Sequence, residues 1–368
     1  MSFLDEQRKP VKSSERQVKE GIYPYYGASG IIDYVDDYLF DDDLILLSED
    51  GANILDRNYR VSFISKGKVW VNNHAHVLKP KLCYSIDFLS EYLESLDYSI
   101  YNTGTTMPKL NQEVCRGIKV KVPSFAEQSK VGKMLALINE RITTQIRIID
   151  KLKSLMQGLN NELMDNPKWD KVYVGDFMEF YSTNSLSWEQ LNYDDGQVRN
   201  LHYGLIHSGL PTVVDCHKIS LPYILDASLP KQYVICKDGD VAFADASEDT
   251  AEVGKAVELT NIKTQTIACG LHTIHGRDVK NITVEGFKGF TFNSKYFHNQ
   301  LRRIAQGSKV YSINTDNVKS CFLYIPTIAE QQKIVGLLRC MQEKIEVAEH
   351  GLQLYEAQKQ FLLRGLFV

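Results

Sequence analysis

The chain has 368 residues, 43% of them hydrophobic and 24% charged, with a formal net charge of −4 and a pI near 6.2. That length holds two or three domains with proper cores and excludes a disordered tail, and the mild negative balance excludes wholesale coating of nucleic acid, which needs clustered Lys and Arg. Seven cysteines, at 83, 115, 216, 236, 269, 321 and 340, form no CxxC pair and total an odd number, so neither a disulfide framework nor a zinc ribbon is expected and a reducing cytoplasm fits best.

The opening residues, MSFLDEQRKPVKSSERQVKEG, are charged throughout, and no run of about 18 apolar residues occurs anywhere, so no membrane segment is predicted. From there to residue 121, short strand and turn signals alternate: YYGASG, DDDLILLSEDGAN and KGKVWVNN. His74 and His76 would share one face of a strand, but spacing fixes no acidic or Cys partner, so a satisfied or DNA-facing histidine is expected and a metal is not. Basic positions such as Lys66, Lys68, Lys79, Lys81, Arg116, Lys119 and Lys121 read singly as a solvated rim.

Residues 122–131 read VPSFAEQSKV, and residues 325–334 read IPTIAEQQKI. The offset is constant: 326 − 123 = 203 for the prolines and 331 − 128 = 203 for the glutamines, and it extends from Gly104 and Gly307 to Ile142 and Ile345. An ungapped match of that length marks an internal duplication. In each copy a short apolar run ends in Pro, and Ser124 or Thr327 stands three residues before Glu127 or Glu330, the capping box of a helix start. Each copy therefore predicts a strand running into a helix.

Beyond the first cap, Val131, Leu135, Ile138, Ile142, Gln145, Ile149, Leu152, Met156 and Leu159 step alternately by four and three, a heptad seam. Ile334, Leu338, Met341, Ile345, Ala348, Leu352, Tyr355, Lys359 and Leu362 repeat it. Two such stripes in one chain most simply bury each other, and about 30 residues of helix span about 45 Å. NNELMDNPKWD, with Pro167, marks a boundary, and strand signals resume in KDGDVAFADA, AVELTN and EGFKGFTF. Between Asp43 and Asp240 the offset is 197, and between His74 and His272 it is 198, so the two heads are related folds with divergent loops.

No catalytic motif emerges. Asn166 and Pro167 in DNPKW lack the rest of a methyltransferase tetrapeptide, GxxxxGK[ST] is absent, and EVGK at 252–255 imitates a nuclease motif poorly. The expected fold class is α+β: two mixed α/β domains joined by two long antiparallel coiled-coil helices in a pseudo-twofold repeat. The segments are a first head (1–121), a first helix (122–166), a second head (167–324) and a second helix (325–368).

GIYPYYGASGIIDYVDDYLFDDDLILLSEDGANI, VWVNNHAHVLKP, IPTIAEQQKI and the duplicated helix resemble the specificity subunit of type I restriction-modification systems over nearly the whole chain. The resemblance implies two target-recognition domains, each reading half of a split double-stranded DNA sequence, joined by helices that act as a ruler. It implies a non-catalytic chain without cofactors of its own, in the cytoplasm. The partners implied are two modification subunits, which methylate adenine with S-adenosylmethionine, and two restriction subunits using ATP and Mg. The family's recognition loops vary with the DNA read. The polar and stacking members of the matching segments are expected at DNA: Tyr25, Tyr26, Ser29, Asn72, Asn73, His74, Thr105 and Lys109 in the first head. In the second they are Tyr203, His207, Ser247, His272, Gln306, Ser308, Lys309 and Tyr311. Glu127, Gln128, Glu330 and Gln331 are expected to dock the modification subunits. The first head departs from the family, because MSFLDEQRKP offers no counterpart of WDKVYVGDFMEFYS, and either lacks an edge strand or borrows closure from the C-terminus. A specificity subunit serving a fused methyltransferase-nuclease, and a coiled-coil adaptor between proteins, stay open.

Overall fold

The computed structural model describes residues 1–250, 252–307 and 309–367. They form two compact units, Met1–Arg147 with His350–Val368, and Ile148–Glu349, so each unit combines one head with a stretch of both long helices.

In the first unit the run Leu44–Ser48 is buried at every position, as the centre of a sheet covered on both faces must be. It pairs antiparallel with Ala75–Lys79 on one side and Ser62–Ser65 on the other, and Ser2–Phe3 add an edge beyond Ala75–Lys79. A second sheet runs in the order Gly30–Val35, Glu20–Gly27, Lys68–Val71, Phe40–Asp41, with Glu20–Gly27 and Lys68–Val71 parallel. The helix Ile86–Ser95 starts where the Ser85 side chain accepts from Phe88 N, and it buries Phe88, Leu89, Tyr92 and Leu93 against Ile45, Leu47 and Leu78.

The second unit repeats the plan. Val241–Ala244 pairs antiparallel with Thr273–Asp278 and with Ala256–Thr260, and the register is conserved: Ser48 opposes Ala75 as Ala244 opposes Thr273. Its second sheet places Arg199–Leu201 parallel to Ile267–Cys269. Under this core Glu258 is fully buried, accepting from the amides of Gly286 and Gly289 at 2.8 and 2.7 Å with Lys288 Nζ at 3.1 Å.

The edges differ. Met178–Tyr181 gives the second head a four-residue edge strand where the first has two residues, and Phe322–Ile325 enters its helix as a strand paired with Asp170–Tyr173. The run-in to the first helix was expected to be a strand too, but residues 118–124 form none, since no counterpart of Asp170–Tyr173 stands beside them among the described residues. The C-terminus covers part of that deficit: the Phe367 ring lies 5.3 Å from Phe88 and 5.1 Å from Tyr92.

The long helices are Phe125–Met164 and Ile328–Leu366, 40 and 39 residues, or about 60 Å each at 1.5 Å per residue. They exceed the seam-based length because each begins at its cap, before the first seam residue, and runs on past the last. Every seam position is buried or half-buried. Within the second unit Lys153 pairs with Glu349 at 2.7 Å, while Met164, further along, shares a cluster with Ile334 and Leu338, so the two run antiparallel. In the first unit Glu91, on the head, meets Asn139 of one helix at 2.8 Å and Lys359 of the other at 3.3 Å.

Both caps form as the spacing predicts. Glu127 accepts from Ser124 N and Oγ at 3.0 and 2.6 Å, and Glu330 from Thr327 N and Oγ1 at 3.2 and 2.8 Å. Thr327→Ala should lower the stability of the second unit by about 1 kcal/mol, the usual worth of a cap, in denaturant unfolding; an unchanged midpoint would show that packing alone holds the helix start.

The glutamines beside these glutamates point the other way. Gln128 accepts from Ser85 N at 3.1 Å and donates to Pro123 O at 2.9 Å; Gln331 accepts from Val284 N at 2.8 Å and donates to Ile282 O and Pro326 O at 2.9 and 3.0 Å. Both are essentially inaccessible, at 2% and 0% exposure. Expected on the docking surface, Gln128 and Gln331 instead tie each helix start to its own head, and only Glu127 and Glu330 of the four stand in solvent.

Candidate nucleic-acid interface

In each head the loops converge on the end of the central strand. In the first, Ser48 Oγ donates to Ala28 O at 2.5 Å and holds the turn that carries Ser29. Glu49 N donates to His74 O at 2.9 Å, fixing the Asn72–His74 turn. Leu110 N to Glu49 O at 2.7 Å and Gly51 N to Pro108 O at 3.0 Å fix the loop that carries Thr105 and Lys109. Ser29, Asn73, His74, Thr105 and Lys109 are all exposed there, a polar rim on a rigid strand end.

Two side chains expected at this surface lie beneath it. Tyr25 is 1% exposed, and its hydroxyl is 2.9 Å from Val11 N, so it closes the core. Asn72 is buried and accepts from His74 N at 2.8 Å, shaping the turn. Tyr26 is half-buried, stacked on Phe63 at 5.9 Å.

The second head rebuilds the arrangement. Asp245 N donates to His272 O at 3.1 Å, and Ile313 N to Asp245 O at 2.9 Å, the counterparts of the Glu49 bonds. His207 Nε2 donates to Ala246 O at 3.0 Å, Ser247 pairs with Tyr311, and Gln306 exchanges backbone bonds with Ser312 at 3.0 and 2.8 Å. Tyr203 stands edge-on to His272 at 5.2 Å and to His207 at 5.9 Å. His272, Gln306 and Lys309 are exposed, Tyr203, His207, Ser247 and Tyr311 are half-buried, and Ser308 lies outside the described residues.

The paired loops need their glycines. A Cβ on Gly104 would sit 1.8 Å from Met107 O, and one on Gly307, at φ +126°, would sit 1.9 Å from Val310 O. No side chain fits either turn.

Sequence reasoning missed the acids and their partners. Glu49 receives Arg8 at 2.6 Å and Lys109 at 3.4 Å; His74 Nδ1 lies 2.8 Å from Asp50, and His272 Nδ1 lies 3.0 Å from Asp245. The signal was present, an acid at the end of the apolar run in both LILLSED and VAFADA. Asp50 and Asp245 orient the imidazoles, and Arg8 and Lys109 offset the charge of Glu49, which leaves an exposed ring nitrogen on each histidine for a base edge or phosphate. Trp188 and His202 were also missed; their rings lie tilted at 40° with centroids 4.4 Å apart, and His202 lies 4.7 Å from Tyr203. Burial, with the neighbouring His272, holds the His202 imidazole below its ordinary pKa.

Behind the first rim lies a buried ion pair. His76 Nδ1 is 2.7 Å from Asp5 and its Nε2 donates to Leu110 O at 2.8 Å, so both ring nitrogens carry protons. Burial opposes the charge, yet the bond to Asp5 and its neighbours push the imidazole up to about 10.

Residues 3–154 match a family described as Type I restriction modification DNA specificity domain. Over 98% of its length the chain is 25% identical to a putative type I restriction enzyme specificity subunit of Haemophilus influenzae, covering 90% of that protein. It is 20% identical to a type I restriction enzyme specificity subunit of Methanocaldococcus jannaschii, again over 98% of the chain and covering 88% of the relative. A crystal structure of the type I restriction-modification S subunit of M. genitalium superposes on the whole chain and 95% of its own, with a TM-score of 0.63 at 13% identity, a likeness of fold.

Proposed function

We infer that this chain, a member of the specificity-subunit family of type I restriction-modification systems, reads a split DNA sequence with one half assigned to each head. The family assigns it to DNA sequence recognition as a non-catalytic subunit of a larger complex. The observation that carries the two-part reading is the duplication of the rim: an acid-held histidine turn and a glycine loop tied to the end of the same strand, once in each head. Divergent residues on equivalent loops suit two different half-sites, with base edges read by the loops and phosphates met by Lys109 and Lys309.

The decamer repeat supports docking of two modification subunits, which would carry S-adenosylmethionine, and through them of restriction subunits using ATP and Mg. Since Gln128 and Gln331 are buried, that surface rests on Glu127, Glu330 and the exposed apolar residues of the long helices, Leu137 and Leu337 among them. No helix of the described residues is long and apolar enough to cross a membrane.

A genome-wide map of methylated adenine, with the gene intact, deleted, or carrying His74→Ala, tests the reading. Deletion should erase one split motif, and His74→Ala should relax or abolish one half of it while leaving the other. An unchanged map together with an assembled complex that shows no salt-dependent affinity for DNA would favour the adaptor instead.

Removal of one heptad from each long helix should shorten the gap between half-sites by about 10 Å, or roughly three base pairs, in the methylation map. An unchanged gap would refute the ruler.

A further inference from the structure

The second head brings together three residues that the sequence scatters. Cys236, Cys269 and His275 each offer a ligand atom, these atoms all lie within 4.8 Å of one another, and all three residues are buried. The Cys236 and Cys269 sulfurs are 3.6 Å apart, close to the roughly 3.7–3.8 Å that two sulfurs take on a tetrahedral zinc with bonds of about 2.3 Å.

The histidine supplies an independent sign. His275 Nε2 is 2.8 Å from Asp240, whose carboxylate is also held by Arg277 at 2.6 and 2.7 Å. With the proton on Nε2 facing that carboxylate, Nδ1 keeps a lone pair, and Nδ1 is buried without a hydrogen-bond partner. A buried acceptor with no donor is costly, whereas a metal ligand whose other nitrogen leans on a carboxylate is the usual arrangement. Charge also balances: a divalent cation with two thiolates is neutral, beside a neutral Asp240 and Arg277 pair.

The first head shows that the fold itself does not ask for these residues. Val71 stands beside Tyr26 as Cys269 stands beside Leu201, and Val77 opposes Leu46 as His275 opposes Ala242. Both valines are fully buried. Where the first head packs two valines, the second places a thiol and an imidazole.

We propose that Cys236, Cys269 and His275 bind a soft divalent cation of the zinc class, with a small fourth ligand completing the shell. The ion joins the two sheets of this head, because Cys269 ends a strand of one sheet and His275 lies in a strand of the other. It also brackets the turn that carries His272, which sits between two of its ligands at φ +54°.

The test uses the full chain, purified under reducing conditions without chelator from zinc-supplemented culture, for elemental analysis; a portion is then stripped and titrated with cobalt. A single bound metal and a thiolate-to-cobalt charge-transfer band are expected. Both should disappear in Cys236→Ser and in Cys269→Ser and persist in Cys216→Ser, and Asp240→Asn should weaken binding by about 10–100-fold. If the serine variants do not fold, the stripped wild-type chain decides: zinc should raise the melting temperature of the second unit. A folded wild-type chain with neither metal nor band nor zinc-dependent melting overturns the site, as does a band that survives loss of both cysteines.

Discussion

Asp5→Ala should destabilise the first unit by about 3–5 kcal/mol, the cost of removing one partner from a buried ion pair. The carboxylate faces His76 at 2.7 Å, accepts from Val77 N at 2.8 Å and Gln112 Nε2 at 2.8 Å, and has Arg8 at 3.6 Å. Its loss leaves an imidazolium that is 1% exposed, in the strand neighbouring the centre of the sheet, with only the more distant Glu49 carboxylate at 3.7 Å to face it. The pair also sets a pH window. With its folded pKa near 10 against an ordinary 6.5, His76 contributes its stability in full below about pH 6.5 and loses it steadily as the pH climbs toward 10. Asp5, for which burial acts upward but the bonds to His76 and Val77 prevail, stays below its ordinary 3.8, so its share fades only in acid. Hydrogen exchange across Ala75–Lys79 in wild type and Asp5→Ala, from pH 6 to 10, measures both effects. Equal protection in the two proteins would remove the pair from the account of stability.

The second large effect belongs to Gln331. Truncation to alanine leaves Val284 N–H, Ile282 C=O and Pro326 C=O without their partner in a site of zero exposure, and the expected loss is about 3 kcal/mol, at about 1 kcal/mol or more for each stranded group. The isolated chain already reports it, in a lower denaturant midpoint for the second unit. A variant with unaltered stability alone but impaired assembly would return Gln331 to the docking surface.

What was legible in the sequence is what depends on near neighbours. The capping boxes span four residues, the heptad seam recurs every seven, and the duplication keeps a constant offset, so pattern reading reached all three. The clasp made by each glutamine was not legible, because its partners Ser85 and Val284 lie 43 and 47 residues away on another element. The same holds for the rim: Lys109 and Asn73 could be chosen from their loops, but Tyr25 was drawn inward by a bond to Val11 that composition cannot reveal. Cys236, Cys269 and His275, at spacings of 33 and 6, follow no metal motif and meet only because two sheets face each other.

The division of the chain into units has a consequence for its synthesis. The second unit is contiguous, Ile148–Glu349, so every residue it needs has been made once position 349 is joined. The first unit needs His350 onward, including Lys359, which pairs with Glu91, and Phe367, which packs on Phe88. At about 5–20 residues per second the ribosome takes roughly 10–40 s to travel from Arg147 to that segment. Throughout that interval the first head waits without its closing helix; the second unit has all its residues at position 349, before the first gains Lys359 and Phe367, so the order in which the units are completed on the ribosome reverses the order of the heads in the gene.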